Sequence, residues 1–307
     1  MRALLVSVFV SLGSCWWIGD EENDLIKNTC GPELLQNGSK WKHNYKSYGG
    51  RLLLPNEYPW VARLYYGGDY VCSGALISPV HVLTAAHCVH EFTVSERKGR
   101  CKRSRYLPPL REASSFEVYL GNSCKIAKGC QKAYRVESVM SDLKDICRPE
   151  DDVAILELDE YVSSDEAVPI CLPSEHQQLV DPLQSAGAGT DEELEFGYLQ
   201  TLKYIGHEED GKLVIVFSNR SSVCDGDSGG PLFQRGSDGR FTAVGVLSSS
   251  DNRKLPGKAY SPCEVKNVKE IRTVWGNRFV DVRRYLGWIF QRTGICYSTT
   301  GWSNSKA

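Results

Sequence analysis

Three short stretches carry side chains that together could transfer an acyl group. "CDGDSGGPL" (224 to 232) sets Ser228 between an acid and two glycines, "LTAAHCV" (83 to 89) ends an apolar run on His87 beside Cys88, and "DDVAILEL" (151 to 158) opens a mostly apolar run at Asp152. A serine hydroxyl is a weak nucleophile until a positioned base takes its proton. His87 offers an imidazole to accept that proton, and Asp152, at the mouth of a buried strand, offers a carboxylate to fix the imidazole's tautomer. Taken singly, each has a plainer role: a Gly/Asp turn, a structural histidine, a strand-capping aspartate. Taken together, each supplies what the others lack.

Such groups act only when rigid elements hold them. Between Pro59 and Leu120 short apolar runs alternate with turn residues, as in "WVARLYYGGDYVCSGALISPVHVLTAAH", and "GRFTAVGVLSSS" repeats the habit; both predict strands joined by turns. One helix is expected, over "VDVRRYLGWIFQRTG", where Val282, Leu286, Ile289 and Phe290 recur at helical spacing before Gly294 stops them. Charged, cysteine-bearing segments at 90–115 and 121–151 read as surface insertions, with "RKGRCKRSR" (97 to 105) a solvated basic loop. The expected class is all-β with a C-terminal α-helix.

Composition narrows the setting. With 307 residues, 41% hydrophobic and 24% charged, the chain is ordinary for a globular protein, and its net charge of -2 gives no reason to expect nucleic acid or an anionic membrane as partner. Arg2 followed by "ALLVSVFVSLG" has the order and length of a secretory signal and is too short to span a bilayer. Cleavage is expected near Gly13 to Cys15, giving a signal peptide over 1–15 and a secreted, extracellular protein. Twelve cysteines without a CxxC pair point to disulfides rather than zinc or a redox dithiol, so no metal and no other cofactor is expected. Sequons at Asn37 and Asn219 fit glycosylation in the same compartment.

The order His, Asp, Ser within "LTAAHC", "DVAILEL" and "GDSGGPL" resembles the chymotrypsin/trypsin-like serine protease family, over about residues 47 to 293. The resemblance implies two six-stranded antiparallel β-barrels with a C-terminal helix, and a secreted serine endopeptidase working through an acyl-enzyme. It makes His87 the general base, Asp152 its orienter, Ser228 the nucleophile, and the N–H groups of Gly226 and Ser228 the oxyanion donors. It also implies a zymogen. "KSYGGRLLLPNEYPW" matches the family's activation junction, giving a propeptide over 16–46, cleavage after Lys46, a new terminus at Ser47 to pair with Asp227, a peptidase domain over 47–293 and a tail over 294–307. Family members usually start with Ile or Val, so Ser47 forfeits on the order of 2 kcal/mol of apolar burial. The implied disulfides are Cys72 with Cys88, Cys224 with Cys263, and Cys30 with Cys171; Cys101, Cys124, Cys130, Cys147 and Cys296 receive no assured partner. The prosegment "EENDLIKNTCG" is similar to those of roundworm trypsin-like proteins.

By the same resemblance, Ser222, Asp225, Ser248 and Ser250 are substrate-binding residues, with Ser250 and either Gly276 or Asn277 as pocket walls. Ser222, six residues before the nucleophile, puts no acid at the pocket base, which favours an uncharged residue before the scissile bond. Expected partners are a peptide or protein substrate, an activating protease and protein inhibitors. Ser47, and Ser249 where a tryptophan usually lies beside the substrate, motivate an alternative: a protease-like regulatory or binding protein with weak or no peptidase activity. An esterase is disfavoured, because its nucleophile would sit in GxSxG rather than "GDSGG".

Overall fold

A computed structural model of the chain describes residues 17–35, 50–124, 126–190, 196–219, 222–251 and 274–296. Six strands close into an antiparallel barrel in the order β2 (Val61–Tyr66), β3 (Asp69–Ser78), β4 (His81–Thr84), β7 (Ala154–Leu158), β6 (Tyr134–Ser141) and β5 (Phe116–Leu120). The expected second barrel is an eight-stranded sheet that closes only halfway. Its order is β1 (Arg51–Leu52), β9 (Gln200–Lys203), β8 (Gln184–Gly187), β12 (Pro231–Arg235), β13 (Phe241–Asp251), β14 (Val274–Asp281), β11 (Leu213–Asn219) and β10 (Gly206–Asp210). The two-residue β1 extends one edge through β9, and the β10 hairpin extends the other through β11.

Apolar residues at nearly every position explain why β2 and β7 are interior strands: every residue of "AILEL" is buried, and only Tyr66 of "VARLYY" is partly exposed. An aromatic cluster couples the barrel to the sheet. Tyr58 packs edge-on against Phe233 at 4.9 Å and Phe241 at 5.2 Å, and Trp60 lies 5.6 Å from Phe241. Such pairs are worth about 0.5–1.5 kcal/mol each beyond the area they bury.

The C-terminal helix, α3, runs Leu286–Thr293, and Val282 lies in the 3-10 turn just before it. Leu286 and Ile289 are buried as the periodicity requires, whereas Phe290 is 40% exposed and packs at 5.7 Å against Trp17. Gly294 ends the helix at φ 75°, where a Cβ would come within 2.8 Å of the Ile18 carbonyl, so glycine is needed there.

Two further helices went unread in the sequence. α1 (Asp20–Thr29) carries three acids in its first turn and Lys27 in its last, complementing the helix dipole; α2 (Val94–Cys101) starts in a capping box between Thr93 and Glu96. Nor is 121–151 wholly an insertion, since it contributes β6 to the barrel. The leader containing α1 is fastened to the body. Ile18 and Ile26 join the main core, Asn23 donates to the Gly294 carbonyl at 2.9 Å and accepts from the Cys296 N–H at 2.7 Å, and Cys30 is bonded to Cys171.

Candidate active site

Strand register brings His87 and Asp152 together. β4 and β7 are antiparallel partners with Thr84 opposite Ala154, so a residue three past the end of one strand meets a residue two before the start of the other. His87 sits on a 3-10 turn (Ala86–Cys88) locked by the Cys72–Cys88 disulfide. Cys72, His87 and Cys88 have possible metal-ligand atoms within 4.8 Å, but the two sulfurs are joined to each other.

Asp152 is buried and gathers three donors. Its Oδ1 accepts the His87 backbone N–H at 2.7 Å, and its Oδ2 lies 2.6 Å from both His87 Nδ1 and Ser248 Oγ. Burial alone would raise this carboxyl; the His87 charge and these hydrogen bonds outweigh it and hold Asp152 below the usual range. An ionised partner makes Nδ1 the proton-bearing nitrogen and leaves Nε2 as the available base. Asp151, its neighbour, faces elsewhere, with Lys212 Nζ at 2.6 Å and the Tyr285 hydroxyl at 3.0 Å.

Ser228 comes from the other sheet, in the turn before β12. The Ser73 N–H donates to the Ser228 carbonyl at 2.8 Å, so β3 holds the serine backbone, and the Cys88 disulfide sulfur packs 3.8 Å from the same oxygen. The Ser228 hydroxyl and the His87 ring are not hydrogen-bonded to each other here; such bonds often tighten only when substrate is bound.

Gly226 is fixed from two sides. Its carbonyl accepts from the Tyr70 hydroxyl at 2.7 Å and from Ser73 Oγ at 3.0 Å, while the preceding carbonyl, of Asp225, accepts the Thr190 N–H at 2.9 Å. In a trans peptide the C=O and N–H point in opposite directions, so the Thr190 bond turns the Gly226 N–H away from Thr190. With φ at 93° and Tyr70 Cε1 only 2.6 Å from an added Cβ, the position demands glycine. Tyr70, Ser73 and Thr190 lack any local motif that would have marked them.

Asp227 is a second perturbed acid near the site. Its oxygens accept the Gly189 and Cys224 N–H groups, each at 2.8 Å, and it has no ion pair among the described residues. Burial dominates and pushes the carboxyl up to about 6. It lines a cavity of about 10 Å³ with Thr190, Gln200, Ser222 and Val223, room for about one water.

The expected substrate residues separate. Ser222 is buried with its hydroxyl 3.2 Å from the Val223 carbonyl, and Asp225 and Ser250 are exposed. The hydroxyl of Ser248, named among the expected substrate-binding residues, donates to Asp152 Oδ2 at 2.6 Å. Asn277 pairs with Ser250 in register and is fully buried; its amide makes no well-formed hydrogen bond, although the Tyr204 hydroxyl lies beside it. Gly276 pairs with Asp251.

The structure also holds Cys101–Cys147 and Cys124–Cys130, pairs the sequence had left open, and Cys296 is a partly exposed thiol. Cys224 is disulfide-bonded. Its expected partner Cys263, the signal segment with Cys15, Asn37, Lys46 and Ser47 lie outside the described residues, and Asn219 is the last residue of β11.

The family model for Trypsin matches residues 47–270. The chain is 30% identical over 292 residues to CLIP domain-containing serine protease B15 of Anopheles gambiae, an alignment covering 84% of this chain and 74% of that protein. It is 26% identical over 296 residues to urokinase-type plasminogen activator of Gallus gallus, covering 86% of this chain but only 59% of that protein.

Proposed function

The chain belongs to the trypsin family and is a serine endopeptidase, and we propose that it is a secreted zymogen whose His87, Asp152 and Ser228 cleave peptide bonds after an uncharged residue. The observation that carries the catalytic assignment is the Asp152 carboxylate, bonded at once to the backbone and ring of His87. That geometry supports Nε2 as the base for Ser228, with Asp152 stabilising the imidazolium once the proton arrives. The Gly226 and Ser228 N–H groups then serve as oxyanion donors, each typically worth ~3 kcal/mol of barrier.

Activation by cutting after Lys46 gives Asp227 a cationic partner, which it lacks among the described residues. A new ammonium at Ser47 would neutralise a buried carboxylate, and this electrostatic gain compensates for a terminal side chain too small to fill an apolar pocket. The cavity beside Asp227 is smaller than a chain terminus, so its walls must part as the terminus enters. The leader stays attached through Cys30–Cys171 and also through Ile18 and Asn23. Four disulfides among the described residues favour an oxidising, extracellular setting.

Ser222 at the base and the buried Asn277 support the uncharged preference, since a substrate lysine or arginine would enter without a counter-ion at the pocket base. Profiling a peptide library with the cut protein tests the whole reading. Cleavage after small or medium uncharged residues, lost in Ser228→Ala, is expected; preferred cleavage after Arg overturns the specificity, and no cleavage of any peptide overturns the activity.

A further inference from the structure

The basic loop is more than a solvated insertion. It is clamped at its base and stapled at its middle, in each case to a catalytic segment. At the base, the Arg111 N–H donates to the Val89 carbonyl at 2.9 Å, the Glu91 N–H to Pro109 at 2.8 Å, and His90 Nδ1 to Pro108 at 2.7 Å, all within four residues of His87. In the middle, the Cys101–Cys147 disulfide joins the loop to the segment leading into Asp152, and Tyr106 exchanges bonds with it, donating to Asp145 Oδ1 at 3.1 Å and accepting from the Ile146 N–H at 2.9 Å.

What these fastenings hold up is a helix that buries none of its residues. Eight residues form a marginal helix alone, so the capping box and the disulfide maintain it rather than a core. Between Arg97 and Arg105 there are six cations and no acid, in a chain whose net charge is -2. Arg97, Lys98, Arg100, Lys102, Arg103 and Arg105 are all exposed, and none is in an ion pair among the described residues. Like charges gathered this way repel one another, offset in part by Glu96 beside Arg100 and by the Arg100 guanidinium 5.2 Å from the Tyr106 ring. Exposed apolar side chains lie among them, Val94 at 65%, Leu107 at 55% and Leu110 at 47%. Gly99 leaves bare backbone in a shallow depression lined by Glu96, Arg100, Arg103 and Ser104.

We propose that the loop from Glu91 to Leu110 docks an acidic, apolar-bearing segment of the protein substrate and so guides the scissile bond to His87 and Ser228. This rests on the endopeptidase reading. A sulfated polysaccharide would match the cations but leave Val94, Leu107 and Leu110 unmatched, and the loop's attachment to both catalytic segments places the occupant beside the cleft. Charge complementarity supplies encounter rate and register, and the apolar residues supply contact area.

The test uses two fluorescein-labelled peptides of equal length, one alternating Asp and Glu with Phe and Leu, the other carrying Asn and Gln in place of the acids. Fluorescence anisotropy with the full chain bearing Ser228→Ala measures binding without turnover. The acidic peptide should bind at least about tenfold more tightly than its amide twin, weaken with added salt, and lose about tenfold or more on adding Lys98→Glu, Arg100→Glu and Arg103→Glu together. In the cut, active protein the same triple change should leave hydrolysis of a short peptide anilide unaltered and raise KM about tenfold for a substrate with an acidic flank. Equal binding of the two peptides overturns the proposal, as does binding that ignores the triple change. Capture of a heparin-derived oligosaccharide without the acidic peptide overturns the occupant. Failure to cut the short anilide refutes the endopeptidase reading instead, and the anisotropy still decides the docking.

Discussion

Neutralising Asp227 should flatten the stability of the uncut chain against pH. The carboxyl accepts two backbone N–H groups yet meets no cation among the described residues, and burial raises it from 3.8 to about 6. An acid raised on folding contributes stability that is fully present below its unfolded pKa and lost as pH climbs through its folded pKa. The window is therefore about pH 4 to 7. A rise of about two units at about 1.4 kcal/mol each costs the uncut protein about 3 kcal/mol by pH 7.5. Asp227→Asn removes this titration, while any change in the two N–H bonds adds an offset that does not vary with pH. Urea unfolding of uncut protein in a Ser228→Ala background, at steps from pH 4 to 7.5, reads the difference. The Asp227 form should lose about 3 kcal/mol more than Asp227→Asn across that range, and the excess should vanish once the chain is cut after Lys46. Parallel curves for the two uncut forms would refute the reasoning.

The triad makes further demands. Asp152→Asn should lower kcat roughly 10⁴-fold through the wrong imidazole tautomer, while Asp151→Asn, which breaks only the Lys212 and Tyr285 contacts, should cost at most about 1 kcal/mol of stability and little activity; steady-state kinetics on both variants check this. Ser248→Ala removes one of the donors to a buried carboxylate, so Asp152 should titrate higher and neutral-pH stability should fall by about 1.5–3 kcal/mol, the loss shrinking as pH drops through the Asp152 pKa; denaturant midpoints at pH 7 and pH 3 decide it. Ser222→Asp should shift cleavage toward Arg and Lys incompletely, since pocket shape contributes a few kcal/mol alongside charge; ratios of kcat/KM on matched substrates measure the shift.

The candidate side chains His87, Asp152 and Ser228 stand in local motifs, which are short-range signals. What places them is not short-range. That Asp152 rather than Asp151 meets His87 follows from the Thr84–Ala154 register, a pairing between strands 70 residues apart. The Tyr70 and Ser73 bonds to Gly226 span more than 150 residues and carry no sequence mark. Strand alternation alone does not say that the Ser248 hydroxyl turns toward the buried Asp152. α2 could have been read from Thr93 and Glu96, a capping box obscured by the surrounding charge. The half-closed second sheet depends on edge strands as short as β1, below what periodicity can detect.

The most direct measurement is the rate at which a fluorophosphonate labels Ser228 in three samples: uncut chain, chain cut after Lys46, and cut chain carrying His87→Ala. Labelling requires both an activated hydroxyl and ordered oxyanion donors. The cut protein should label on the order of 10²-fold faster than the uncut one, as removing oxyanion donors costs that much in related chemistry, and His87→Ala should abolish the reaction. A cut protein that does not label, or labelling that survives His87→Ala, would contradict the assignment of His87, Asp152 and Ser228 as one catalytic unit.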